Sequence, residues 1–181
     1  MIKTYRYYGF LMILVEWILV ASLYLFKPNQ LKLKTPISDF LKINSTQLVF
    51  ILGFILVSLL FYIFVHKYLV KVLKTPVNIF DLALFCLIVA LLVPYNTWGH
   101  SVHVIGASLF VILFFMGALI TGYRNRQRYV RNISVLVIGS VILSLMVSVA
   151  IKGLQAILLF ELIIGVFGQA WIFLISLRSF K

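Results

Sequence analysis

Six long apolar runs, 8–26, 48–65, 77–93, 101–121, 133–151 and 154–177, fill most of the chain and hold only three charged side chains, Glu16, Asp81 and Glu161. About 20 mostly apolar residues carry a helix across a hydrocarbon core of roughly 30 Å. Each run therefore predicts one membrane-spanning helix, the third being the shortest. Backbone polar groups in lipid have to be satisfied within the segment, and a helix does this. Composition agrees: 64% of the residues are hydrophobic and 11% charged. Soluble domains carry about 45–50% and about 25%, respectively. The expectation is an all-α, integral membrane six-helix bundle that forms a single domain.

Lys3 and Arg6 ahead of the first run, and the small residues of "LVAS" within it, mimic a cleaved signal peptide. The run exceeds the usual apolar region of about 7–15 residues and contains Glu16, so it is read as a retained helix. An even number of spans puts both termini on one side. Eleven of the 16 Lys and Arg fall at the termini and in the loops after the second and fourth runs, and five in the other three loops. The positive-inside rule then places both termini in the cytoplasm, with the protein expected in a prokaryotic plasma membrane.

The net charge of +12 invites a nucleic-acid reading, but the cations sit in short segments between spans, where they set topology and meet anionic headgroups. Membrane lipids, and not nucleic acid, are the expected partners. Arg124, Arg126, Arg128 and Arg131 of "YRNRQRYVRN" are the expected cytoplasmic headgroup contacts. The longest polar segment, 27–47, is expected outside the cell. Within it "ISDFLKI" suits a short interfacial helix capped by Ser38. The single Cys86 excludes an internal disulfide and a cysteine metal cluster.

Ionisable groups inside a span are functional candidates by default. Glu16 stands eight residues into the first run, about 12 Å deep, and Glu161 about 10 Å deep in the sixth. Glu161, Gly165 and Gly168 share one helix face, with Gln169 at its border. His100 and His103 share a face of the fourth helix with Ala107, and Gly106 is adjacent. Ser140, Ser144 and Ser148 line the fifth at four-residue spacing. Gly165, Gly168, Gly106 and the three serines are the expected helix-packing positions, since small residues let helices approach closely.

If these faces converge, the segment "PYNTWGHSVHVIG" closes an outward-facing polar pocket of His100, His103, Glu161, Glu16, Asn96 and Trp98. A competing reading makes the histidines interfacial or hydrogen-bonded to the backbone, and the glutamates protonated links between helices. No metal site is expected, because two histidines three residues apart fall short of the three or four ligands zinc needs. Depth argues against a bis-histidine haem, His66 lying at the opposite end from His100 and His103. No cofactor is expected. Asp81 is expected to stabilise the positive end of the third helix. The chain has no phosphate-binding glycine loop, nucleophile elbow or His-Glu-x-x-His motif.

Three segments together resemble a known family. "PISDFLKINSTQLVFILGFILVSLLF", "VPYNTWGHSVHVIGASLFVILFF" and "FELIIGVFGQAWIFLISL" are similar to parts of the small six-helix membrane proteins grouped as domain of unknown function 998. His100 or His103, Glu161 and Trp171 stand at matching positions. More distant relatives would be the DRAM-like six-helix proteins of eukaryotes, some linked to autophagy or lipid-anchor remodelling. The resemblance implies a fold and supplies no activity.

Three functions suit the residues. The first is binding of a lipid or of a membrane partner, including a second copy of the chain, through the pocket and the packing faces. The second is a small-solute or proton-coupled transporter, or its substrate-binding component, with Glu161, Glu16 and His103 as ligands. The third is a lipid-headgroup enzyme with His100 or His103 as general base and Glu161 orienting it.

Overall fold

The computed structural model describes residues 2–26, 40, 44–73, 75–93, 97–125, 127–152 and 157–177. Among them, six helices follow one another and there is no strand. A 3-10 turn, Ile2–Arg6, leads into α1, Tyr7–Phe26. Helix α2 runs over Asn44–Phe64, widens into a π-helical segment over Val65–Leu69 and finishes as α-helix over Val70–Leu73. Then come α3 (Val77–Leu92), α4 (Thr97–Arg124), α5 (Arg128–Lys152) and α6 (Ile157–Leu177). Four stretches, Thr4–Leu25, Thr46–Leu73, Gly99–Arg124 and Arg128–Val147, are long and apolar enough to cross a membrane. Val77–Leu92 and Glu161–Leu177 are shorter apolar helices.

Polar residues satisfy backbone groups where α2 and α4 end. Pro76 ends α2, having no N–H to continue it, and serves as the N-cap of α3. Thr75 Oγ1 donates to the Leu69 carbonyl at 3.3 Å, occupying an acceptor freed at the end of α2. The Asn125 amide donates to the Leu73 carbonyl, pinning the end of α4 to the end of α2. In the π-helical segment the Val70 N–H donates to Val65 O. A π-bulge re-aims side chains. Here Val65, Tyr68 and Leu69 are buried, while His66 reaches α3 and sits 2.8 Å from Asp81.

Helices α3 and α4 form the most intimate pair, α1 packs on α2, and α6 lies against α1, α4 and α5. Glycines mark the closest approaches. A Cβ on Gly106 of α4 would come within 2.9 Å of the Cys86 carbonyl oxygen on α3, and one on Gly122 within 2.7 Å of Ser134 on α5. Gly9 of α1 lies equally close under Ser176 of α6. Apolar attraction between helices vanishes in lipid, so such contacts and the hydrogen bonds between helices carry the cohesion.

The end carrying Lys71, Arg124, Arg128 and Arg131 is termed the basic end, and the opposite one the far end. Toward the basic end lies a large apolar cluster that includes Phe64, Leu69, Leu73, Phe80, Ala118, Val130 and Trp171. Leu19, Leu23, Phe40, Phe50 and Leu91 make a smaller cluster at the far end. Outward-facing side chains are as apolar as inward-facing ones, for example Leu14, Ile18, Leu52, Leu59, Ile112 and Leu143. A water-soluble protein does not present a surface of this kind over most of its helices.

Candidate functional site

Three polar side chains stand deep in apolar helices: Glu16 in α1, Ser58 in α2 and Gln169 in α6. Folding brings all three to one cavity of about 120 Å³. Helix α1 contributes Met12 and Glu16, one turn apart on the same face. The rest of the wall comes from α2, α3, α4 and α6 and includes five phenylalanines, Phe54, Phe61, Phe110, Phe114 and Phe115. Among the described residues, α5 provides none of the lining.

The polar groups have defined partners. Glu16 on α1 and Gln169 on α6 line the same cavity, the Gln169 amide lying within reach of the Glu16 carboxyl. The Ser58 hydroxyl donates to the Phe54 carbonyl at 2.7 Å, which leaves its oxygen to present lone pairs. Gly165 and Gly168 of α6 border the cavity in different ways. Phe114 lies 3.4 Å from the position of a Cβ on Gly168, whereas nothing lies within 4 Å of one on Gly165. The missing side chain at Gly165 thus contributes directly to the void.

Toward the basic end an aromatic cluster abuts the cavity. Phe114 meets Trp171 edge-on at 5.9 Å, and Phe80 stacks on Trp171 at 6.2 Å. Phe61 contacts both Phe80 and Phe114 at 5.7 Å. The indole N–H of Trp171 donates to Ser134 Oγ at 2.9 Å, so even the polar edge of this cluster is satisfied.

The residues expected at an outward pocket are distributed more widely. Glu16, Gly165 and Gly168 line the cavity together; His100, His103 and Glu161 are not among its lining residues. His103 is buried, and its Nδ1 donates to the Ala90 carbonyl on α3 at 2.9 Å. His100 is exposed. Glu161 lies toward the far end of α6, within electrostatic reach of Tyr24 on α1. Ser140 and Ser144 are half-buried on α5. Arg124, Arg128 and Arg131 are exposed at the basic end. Asn96 and Arg126, the side chains of Trp98 and Ser148, and the segment around Ser38 lie outside the described residues.

Sequence reasoning passed over Ser58 and the phenylalanine wall, although a polar residue deep in a span marks the face that turns inward. It also missed the pairing of His66, within the π-helical segment, with Asp81, 15 positions further on. Among the described residues no group of three or more His, Cys, Asp or Glu is placed to hold a metal ion. The arrangement offers a mostly apolar chamber with a carboxyl, an amide and a hydroxyl on its wall. No family model matches the chain, and no curated protein or solved structure is detectably similar to it.

Proposed function

We propose that the chain is a multi-pass plasma-membrane protein that binds a lipid-soluble molecule in the cavity between α1, α2, α3, α4 and α6. Glu16 and Gln169 hold the polar group of that molecule. The reading includes a six-helix bundle with both termini in a prokaryotic cytoplasm, as the distribution of Lys and Arg favours. Kinship with the six-helix family of domain of unknown function 998 rests on the three segments quoted above and is part of the same proposal.

One observation carries the ligand class: an apolar wall interrupted by the Glu16 carboxyl, the Gln169 amide and the Ser58 hydroxyl. A cavity of about 150 Å³ lined by aliphatic and aromatic groups takes up benzene. At about 120 Å³ this one suits a ring or a short branched unit and not a whole lipid. Lipid tails are as apolar as the cavity, so apolar contact alone gives no preference for the site over the bilayer. Selectivity then comes from shape and from Glu16 with Gln169, and the ligand is an apolar skeleton carrying a hydrogen-bonding oxygen or nitrogen.

A proton-coupled transporter ranks second, supported by the same interior carboxyl. A lipid-headgroup enzyme with His100 or His103 as general base is the third reading, and in it the Ala90 carbonyl orients the His103 ring through Nδ1.

The test is mass spectrometry of small molecules and lipids that co-purify with the protein in mild detergent. Native protein should retain an apolar compound with a polar group, and Gly165→Leu, which fills the void, should lose it while remaining folded. Equal recovery from both proteins would refute cavity binding.

A further inference from the structure

A second feature, at the basic end, is independent of the cavity. Helices α4 and α5 meet there at Gly122, where an added Cβ would lie 3.4 Å from the Arg131 backbone. This close crossing sets Arg131 beside Tyr123 and leaves a shallow cleft lined by Tyr123, Arg131, Asn132, Val135 and Leu136. On α5 the pattern Arg128, Arg131, Asn132, Val135, Leu136 follows i, i+3, i+4, i+7, i+8 and so forms one face. That face is cationic at the helix end and apolar one turn further along. Arg131 and Asn132 are exposed, as are Tyr123 at 67%, Val135 at 47% and Leu136 at 66%.

We infer that this cleft binds one anionic phospholipid, its phosphate held by Arg131 and its chain lying along Val135 and Leu136. Charge complementarity identifies the occupant. Arg124 and Arg128 flank the cleft, and at this end the one carboxylate among the described residues, Asp81, faces His66 at 2.8 Å. A guanidinium matches a phosphate with two parallel N–H donors. Asn132 and the Tyr123 hydroxyl add neutral hydrogen-bonding groups suited to a glycerol or ester oxygen. A cationic pocket between helices at a membrane interface is the arrangement that holds acidic headgroups. The apolar lower half distinguishes a lipid from a free anion, for which Val135 and Leu136 would offer nothing.

The experiment is native mass spectrometry of the full chain in detergent with equimolar dioleoylphosphatidylglycerol and dioleoylphosphatidylcholine. Native protein should retain one phosphatidylglycerol in preference to phosphatidylcholine. Arg131→Gln should weaken that retention about fivefold, the loss expected for one cation at a membrane surface. Asn132→Asp, an exposed change that places a negative charge in the cleft, should weaken it at least as much. Lys71→Gln, which removes an exposed cation of the same end outside the cleft, should leave retention unchanged. Millimolar inorganic phosphate should not displace the lipid. Loss of retention in all three variants alike would show diffuse attraction in place of a site. Displacement by inorganic phosphate would show a free-anion site, and no preference in native protein would refute binding. Each of these outcomes overturns the inference.

Discussion

His103 on α4 and Ala90 on α3 are joined at 2.9 Å through the imidazole Nδ1 and the carbonyl oxygen. A carbonyl oxygen only accepts, so the proton resides on Nδ1 and His103 acts as a tie between two helices. Gly106, one turn away, lets the same pair of helices approach to contact. His103→Ala should destabilise the protein by about 0.6–1.7 kcal/mol, the range for hydrogen bonds between membrane helices. His103→Asn, whose amide N–H stands close to the Nδ1 position, should recover most of that loss. Denaturant titration in micelles measures both, and an alanine variant as stable as native protein would remove the tie.

Gly106 and Gly165 should respond oppositely to the same added methyl. At Gly106 the new Cβ would meet the Cys86 carbonyl oxygen at 2.9 Å and Ala90 at 3.0 Å, and both are held by the α3 backbone. Gly106→Ala should therefore cost about 1–3 kcal/mol as an overpacked contact. At Gly165 the Cβ meets nothing within 4 Å. There the helical preference of alanine acts alone, and Gly165→Ala should stabilise by up to about 1 kcal/mol. The same unfolding assay compares the two, and a destabilised Gly165→Ala would mean that the void is filled.

Across the cavity, Glu16 and Gln169 form a pair whose strength a double-mutant cycle isolates. Alanine at either position should lose the interaction between the two side chains, and alanine at both should lose it once. The expected coupling is about 0.6–1.7 kcal/mol in the stability of detergent-solubilised protein. Strictly additive losses would mean that the two side chains act separately. Glu16→Gln preserves shape and hydrogen bonding, so it should fold normally and report, through the co-purified molecule, whether the carboxyl itself selects the ligand.

These contrasts indicate what the sequence can and cannot convey. The apolar runs mark where helices lie because inward-facing and outward-facing positions of a run are alike apolar, so hydropathy registers the whole run. Helix ends are less legible. Apolar content stops near Val65, yet α2 continues to Leu73, because Leu69 and Leu73 are buried and His66 finds Asp81 on α3. The i, i+3 spacing of His100 and His103 puts them on neighbouring lines of α4, and the α3 interface falls between, burying one and exposing the other. Gly165 and Gly168 look equivalent along the chain. Only the reach of Phe114, which touches one and not the other, makes one a contact and the other a void.

Trp171 supplies the most stringent test of packing, because its indole is fully buried and its single donor is engaged by Ser134, itself inaccessible. Ser134→Ala removes the acceptor and leaves the N–H without a partner among apolar groups, which should cost about 1–3 kcal/mol. Trp171→Phe removes the donor as well as ring contacts with Phe80 and Phe114, and should cost more, within the range of large-to-small core changes. Once phenylalanine is present, Ser134→Ala has no donor left to strand, and its added cost should nearly vanish. A full Ser134→Ala penalty in the Trp171→Phe background would show that Ser134 acts through its contact with Gly122 instead. Trp171 also touches Phe114, which lines the cavity, so Trp171→Phe should loosen retention of the co-purified molecule while Ser134→Ala, on the side away from the cavity, leaves it unchanged.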